Sequence, residues 1–332
     1  MRERYLPLLA TIIVFVALFV TGGMLYKNFL SAQVLGDVLA DNAFIIIAAI
    51  GTTFVILSGG IDLSIGSMIG FVGVVMANLD AAGWHPLVSV AIMLAFGLCF
   101  GAFQGFIIDF CEIQPFIITL AGLFMLRGGC FMVNLDSVPL RHPFVAAFAD
   151  ANIELPDGGY LRSSAILMLV SLAVAVVIAH FTRFGTNVYA IGGDRASAVL
   201  MGVPMRRTTV MIYALGGFYS ALGGVVYALY TASGYPLAGT GNELNAIASV
   251  VLGGTLLTGG VGMVAGTLFG GMILGLIATI INFNGSLNGA WIMITGGVLL
   301  FLFIVMQRFL VGSFNLRGAA ESHAAETPRA AA

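Results

Sequence analysis

The chain has 332 residues, of which 60% are hydrophobic and 8% charged, with a mean hydropathy of +1.06. A soluble domain carries about 25% charged residues, so this composition excludes a water-facing globule and marks a polytopic membrane protein. The formal net charge of −2, with no basic run, gives a nucleic-acid partner nothing to bind.

A membrane-crossing helix needs about 20 predominantly apolar residues. Ten stretches answer that description: 6–26, 42–58, 64–79, 88–108, 115–134, 163–181, 209–230, 244–258, 262–282 and 290–307. The expected fold is an all-α membrane protein, a bundle of about ten transmembrane helices occupying 1–314. The first stretch, Leu6 to Tyr26, has 21 residues, too many for a signal-peptide core of about 7–15, and reads as a membrane anchor. The stretches 64–79 and 244–258 are short and adjoin glycine-rich turns. Part of each turn therefore continues the helix or dips back into the membrane. The 44 glycines suit close helix packing in lipid.

Orientation follows from the basic residues of the connections. With the N-terminus inside and ten crossings, the cytoplasmic side holds Arg2, Arg4, Arg183, Arg195, Arg206, Arg207, Arg308, Arg317 and Arg329. The other side holds Lys27, Arg141 and Arg162. Nine against three places both termini and the 182–208 connection in the cytoplasm. The longest external connection, 135–162, either docks a partner or caps the helix ends. The alanine-rich tail 315–332 is expected to be disordered and cytoplasmic.

Self-similarity appears at an offset of 200 residues. Ser58-Gly59-Gly60-Ile61-Asp62-Leu63-Ser64-Ile65-Gly66 recurs as Thr258-Gly259-Gly260-Val261-Gly262-Met263-Val264-Ala265-Gly266, and Gly70, Asn42 and Ala48 recur as Gly270, Asn242 and Ala248. Glycine-interrupted apolar segments in corresponding halves point to a transport pathway, so an internal repeat around a central route is expected.

Six polar residues are candidates for that route: Asn42, Asp62, Ser64, Arg127, Asn242 and Glu243. Asp62 lies at the border of lipid depth, where a charge needs a cavity, a partner or backbone donors. It either caps the 64–79 helix or serves the pathway, and the two roles are compatible. Arg127 sits about 18 Å into the 115–134 helix. It either snorkels outward or lines an outer vestibule, paired with Asp136 or Glu243. The amides and Glu243 begin segments on the outer side, where they suit helix caps and sugar hydroxyls alike. Tyr230, Tyr235 and Trp291 fit an interfacial belt or sugar stacking.

Cys99, Cys111 and Cys130 make no Cys-x-x-Cys spacing and no disulfide framework. The four histidines form no pair with ligand spacing, so no metal site is expected. No phosphate-binding Gly-x-x-x-x-Gly-Lys-Ser/Thr loop occurs, so the chain is not expected to hydrolyse ATP. No catalytic residues can be named. A secondary transporter of a small polar solute, driven by an ion gradient, is the alternative. It would need an intramembrane relay, for which the spans offer Arg127 and the border residues Asp62 and His180.

The 27-residue polar island Thr182–Thr208 remains, centred on Gly192-Gly193-Asp194-Arg195-Ala196-Ser197-Ala198-Val199-Leu200-Met201-Gly202-Val203. It reads as a short helix that a soluble partner grips. Followed by Ala214-Leu215-Gly216-Gly217, it resembles the cytoplasmic coupling segment of ribose-type ABC sugar permeases. Phe54 to Ser67, Pro115 to Leu120 with Leu126-Arg127-Gly128, and Ala246 to Thr255 resemble further stretches of that family, in order over about residues 5–310. Within it the chain most resembles the second permease of bacterial galactofuranose importers. The resemblance implies a multi-pass subunit of the bacterial inner membrane with no cofactor of its own, ATP and Mg being held by a partner ATPase. It implies a second permease subunit, identical or not, the ATPase below, a periplasmic sugar-binding protein above, a sugar substrate and surrounding membrane lipid. It assigns ATPase coupling to Gly192, Gly193, Asp194, Arg195, Ala198 and Gly202.

Overall fold

The computed structural model describes residues 6–154, 158–285 and 289–305. The tail 315–332, and the ends of the stretches and loops that run into 155–157, 286–288 or 306–332, lie outside the described residues.

Apolar runs become helices wherever they are long enough. α1 (Leu6–Leu25) is followed by α2 (Ala32–Asp41), α3 (Ala43–Leu57), α4 (Ile65–Ala81), α5 (Pro86–Phe110) and α6 (Pro115–Val133). The 135–162 connection holds β1 (Val138–Pro139), α7 (Pro143–Asp150), β2 (Asn152–Glu154) and β3 (Tyr160–Arg162). Then come α8 (Ser163–Phe181), α9 (Arg183–Gly193), α10 (Arg195–Leu200), α11 (Met205–Thr231), β4 (Ser233–Gly234), α12 (Asn242–Leu252) and α13 (Val264–Asn284). A last apolar helix, α14, runs Ala290–Val305.

The protein is thus an all-α membrane protein, but its ten apolar stretches do not become ten equal spans. Among the described residues six helices are long and apolar enough to cross a membrane: α1, α5, α6, α8, α11 and α13. A seventh span results if α2 and α3, bent by 59° at Asn42, count as one. α4 is shorter, α14 is described only as far as Val305, and the 244–258 stretch keeps only the 11 residues of α12 as helix. Gly253 and Gly254 end α12, and the chain then turns instead of continuing.

Burial grades the helices from centre to rim. α3 is apolar all round, and every residue of it except Phe44 is buried, as expected of a helix enclosed by others. α11, α12, α8 and α13 pack against it, while α1 keeps only 11% of its spanning window inside the protein. α5 and α11 meet backbone to backbone: a Cβ on Gly101 would fall on the Tyr213 carbonyl, and one on Gly217 on the Gly97 carbonyl. In lipid, where apolar area drives no association between helices, such approach supplies the packing energy.

Helices longer than the bilayer carry their ends out of it. α5 has 25 residues and α11 has 27, about 37 and 40 Å at 1.5 Å per residue, against a hydrocarbon core of about 30 Å. Asp109, placed beyond the 88–108 stretch by the hydropathy pattern, therefore lies in the last turn of α5. β1 pairs antiparallel with β4 and β2 with β3.

Candidate functional site: a glycine junction beneath the coupling segment

The 182–208 island folds by local rules. Thr182 caps α9 by accepting the Gly185 N–H at 3.2 Å. Asp194 ends α9 and starts α10, its Oδ1 accepting the Ser197 N–H at 2.6 Å. That bond, with help from the Ser197 hydroxyl, holds the Asp194 carboxyl below the usual carboxylate range. α10 closes in a Schellman motif, with Val203 N–H donating to Ala198 O and Gly202 N–H to Val199 O. Gly202 has φ +78°, the left-handed conformation the motif needs.

α10 stands away from the bundle on one anchor. Ala198 is fully buried, whereas Leu200 is 89% and Met201 70% exposed. From α5, Asp109 faces Arg195 Nη2 at 3.8 Å and Arg206 Nε at 3.5 Å. Between α10 and the turn joining α5 to α6 lies a cleft of about 600 Å³, lined in part by Asp109, Glu112, Gln114, Arg195 and Val199. The result is a short exposed apolar ridge beside a cleft with charged walls.

α9 carries this surface onto the two glycine turns. A Cβ on Gly192 would fall on the Leu57 carbonyl and lie 2.5 Å from the Gly260 nitrogen. A Cβ on Gly260 would lie 2.6 Å from Gly193 Cα, and one on Gly259 2.8 Å from the Gly59 nitrogen. Gly260 N–H donates to Leu57 O at 2.8 Å, and Tyr189 of α9 donates its hydroxyl to Gly262 O at 2.9 Å. Five glycines from three parts of the chain thus meet with no side chain between them.

Past the first turn lies a buried polar group. Asp62, 2% exposed, accepts from Ser64 N at 2.8 Å and Ser64 Oγ at 2.7 Å through Oδ1. It caps the backbone one residue ahead of α4, whose N-cap is Ser64 itself. Ser64 Oγ is 3.5 Å from Gln104 Oε1, and Thr119 donates to Ile61 O at 3.2 Å. Gln104 Nε2 and the Tyr213 hydroxyl are buried without a hydrogen-bond partner among the described residues, the latter directly over Gly60.

The other expected pathway residues divide. Arg127 is paired with neither Asp136 nor Glu243; its Nη1 donates to Pro236 O at 2.6 Å and Ala238 O at 2.9 Å. Glu243 Oε1 accepts the Gly241 N–H at 3.3 Å. Both therefore hold the 236–243 turn, which lies on α4 where Gly66 and Gly70 leave room. Asn242 starts α12 and accepts from Asn245 at 3.3 Å. Asn42 stands apart at the α2–α3 bend, its amide donating to Val38 O at 2.8 Å and packed on Gly275. Tyr230 donates to Asp41 at 2.9 Å.

Sequence reasoning missed Gln104, Asp109, Thr119 and Tyr213. Gln104 had one available signal, as the sole amide inside the 88–108 stretch. Among the described residues no three His, Cys, Asp or Glu side chains cluster for a metal.

A multi-pass helical bundle, with a capped and exposed short helix resting on paired glycine turns, defines a transport protein of the permease class. Residues 34–305 match the family described as branched-chain amino acid transport system / permease component, and the chain belongs to that family. It is 50% identical to the inner membrane ABC transporter permease protein YjfF of Escherichia coli K12, over 93% of this chain and 94% of that one. It is 34% identical to the fructose import permease protein FruG of Bifidobacterium longum over 92% of each chain. It is 35% identical to the ribose import permease protein RbsC of Escherichia coli K12, over 85% of this chain and 88% of that one. No solved structure matches significantly. A permease component is a transport subunit and not an enzyme; ATP is held by a separate subunit, and the permease carries no cofactor. The membership and the apolar helices place the chain in the inner membrane as a multi-pass protein. They do not favour an ion-gradient transporter.

Proposed function

We propose that this chain forms part of the translocation pathway of an ABC sugar importer, with a monosaccharide delivered by a periplasmic binding protein. The resemblance to the second permease of galactofuranose importers favours galactofuranose as that sugar. It also favours a pore built with a second permease. Both termini and the α9–α10 segment face the cytoplasm, and the ten apolar stretches enter or cross the membrane, α12 and its glycine turn as a re-entrant segment. The two glycine turns are the corresponding elements of two related halves.

One observation carries the coupling mechanism: Gly192 and Gly193 touch both glycine turns through backbone alone. ATP-driven closure of the ATPase subunits displaces α10 through Leu200 and Met201. Glycine-only contact transmits the displacement without side-chain slack, to α3 and α4 through 57–64 and to α12 and α13 through 253–263. The difference in ATPase affinity for the two permease states supplies the bias. Asp62 and Ser64, with Arg127 and Glu243 around α4 and Asn42 and Asn242 at segment starts, serve the pathway or its gates.

The test is ATP-driven uptake of labelled sugars by the complex carrying Gly202→Asp or Leu200→Glu. The expected result is loss of uptake, with the chain inserted in the membrane. Normal uptake by both variants overturns the placement of the coupling helix. Uptake of ribose in preference to galactofuranose overturns the sugar assignment alone.

A further inference from the structure

The cytoplasmic-side ends of α5 and α11 enclose a second cleft, of about 310 Å³, which the coupling route leaves unused. Phe106 and Phe110 of α5 face Val210 and Met211 of α11 across it, with Arg206 and Arg207 at the rim. Phe106 and Phe110 stack with ring centroids 5.3 Å apart and planes 11° from parallel, and they are 53% and 64% exposed. Open aromatic rings at the end of a spanning helix sit at the depth where headgroups give way to acyl chains.

The charges at this rim are unequally engaged. Asp109 shares the cleft, but its carboxylate already faces Arg195 and Arg206. Arg207 enters no ion pair among the described residues. The first turn of α11 holds no acidic residue, and Pro204 gives it no side-chain cap. The free N–H groups of that turn add to the positive potential of the two arginines.

We propose that this cleft is a binding site for one anionic phospholipid. Its phosphate rests between Arg207 and Arg206, and an acyl chain lies along Phe106, Phe110 and Met211. A free phosphate would satisfy the arginines and leave the apolar wall open, whereas a lipid covers both. The proposal goes beyond sugar transport and needs only that α5 and α11 cross the membrane. It stands or falls independently of the coupling mechanism.

The test is lipid retention by the full chain within its purified complex, released from nanodiscs of equal phosphatidylglycerol and phosphatidylcholine and weighed by native mass spectrometry. Phosphatidylglycerol should be retained in preference. Arg207→Gln, which leaves both Asp109 pairs in place, should cut that excess about fivefold, the factor for one basic residue beside an anionic lipid. Arg207→Lys should keep most of it. Phe110→Ala should lose it with the charges intact, and inorganic phosphate should not compete. Equal retention by wild type and Arg207→Gln overturns the proposal, as does the absence of a headgroup preference or displacement by inorganic phosphate. A cross-link from position 110 to another protein subunit overturns it too.

Discussion

The turn 57–64 and the turn 257–264 both lie against the end of α9, the first through the Leu57 carbonyl and the second through Gly259 and Gly260. Gly59 has φ +83° and Gly259 φ +86°. Beyond that shared approach their chemistry diverges. The first turn leads into Asp62 and Ser64 and gathers side chains from three other helices: Gln104 at Ser64, Thr119 at the Ile61 carbonyl and Tyr213 over Gly60. At the position matching Asp62 the second has Gly262, at φ +155°, packed on Thr255. Its tie is the carbonyl that accepts the Tyr189 hydroxyl. Close backbone contact is thus needed at both turns, while a buried carboxylate is needed at one. The close contact is common to both turns, and the polar cluster belongs to the first alone.

Breaking the shared part should have the largest effect. Gly192→Val forces a side chain onto the Leu57 carbonyl and separates α9 from both turns at once. Overpacking of this kind costs about 1–3 kcal/mol or more. We expect uptake to be abolished and the thermal midpoint of the detergent-solubilised complex to fall. Gly193→Ala, whose Cβ meets nothing within 4 Å, should be mild in both measurements.

Next in size is the unshared part. Asp62→Ala leaves the buried Ser64 N–H without its acceptor, a cost of about 1–3 kcal/mol, read as a lowered unfolding midpoint. Gly262→Asp should not rescue it, because the space there is already filled by Thr255.

The two tyrosines sharpen the contrast. Tyr189→Phe removes a made hydrogen bond at the second turn and should cost about 1 kcal/mol. Tyr213→Phe removes a hydroxyl that is buried without a partner among the described residues at the first turn and should be neutral or stabilising by the same assay. The reverse order would show that the Tyr213 hydroxyl is engaged with Asp62.

The smallest effect belongs to Thr255→Val. Its hydroxyl is buried without a partner beside Gly262, so an isosteric apolar replacement should leave stability unchanged or raise it by under about 1 kcal/mol. A large loss of stability would mean that the second turn holds a polar role after all.

The sequence by itself determined the class of the protein and the places of the long helices. It read one short helix near 192–203, where the structure ends α9 at Gly193 and starts α10 at Arg195. Each of these depends on neighbours in the chain: an apolar run must be helical in lipid, Asp194 caps the residues just after it, and Gly202 closes the turn just before it. The tertiary structure alone decided which candidates meet. Gly192 finds Leu57 and Gly260, Asp62 and Ser64 find Gln104, and Arg127 finds carbonyls 236 and 238 in place of a carboxylate. Among the described residues it also reduced ten apolar stretches to six helices of spanning length, or seven with the bent pair. Hydropathy reports what each segment is and not what it touches. Contacts between residues 40 to 200 positions apart arise only when the helices pack.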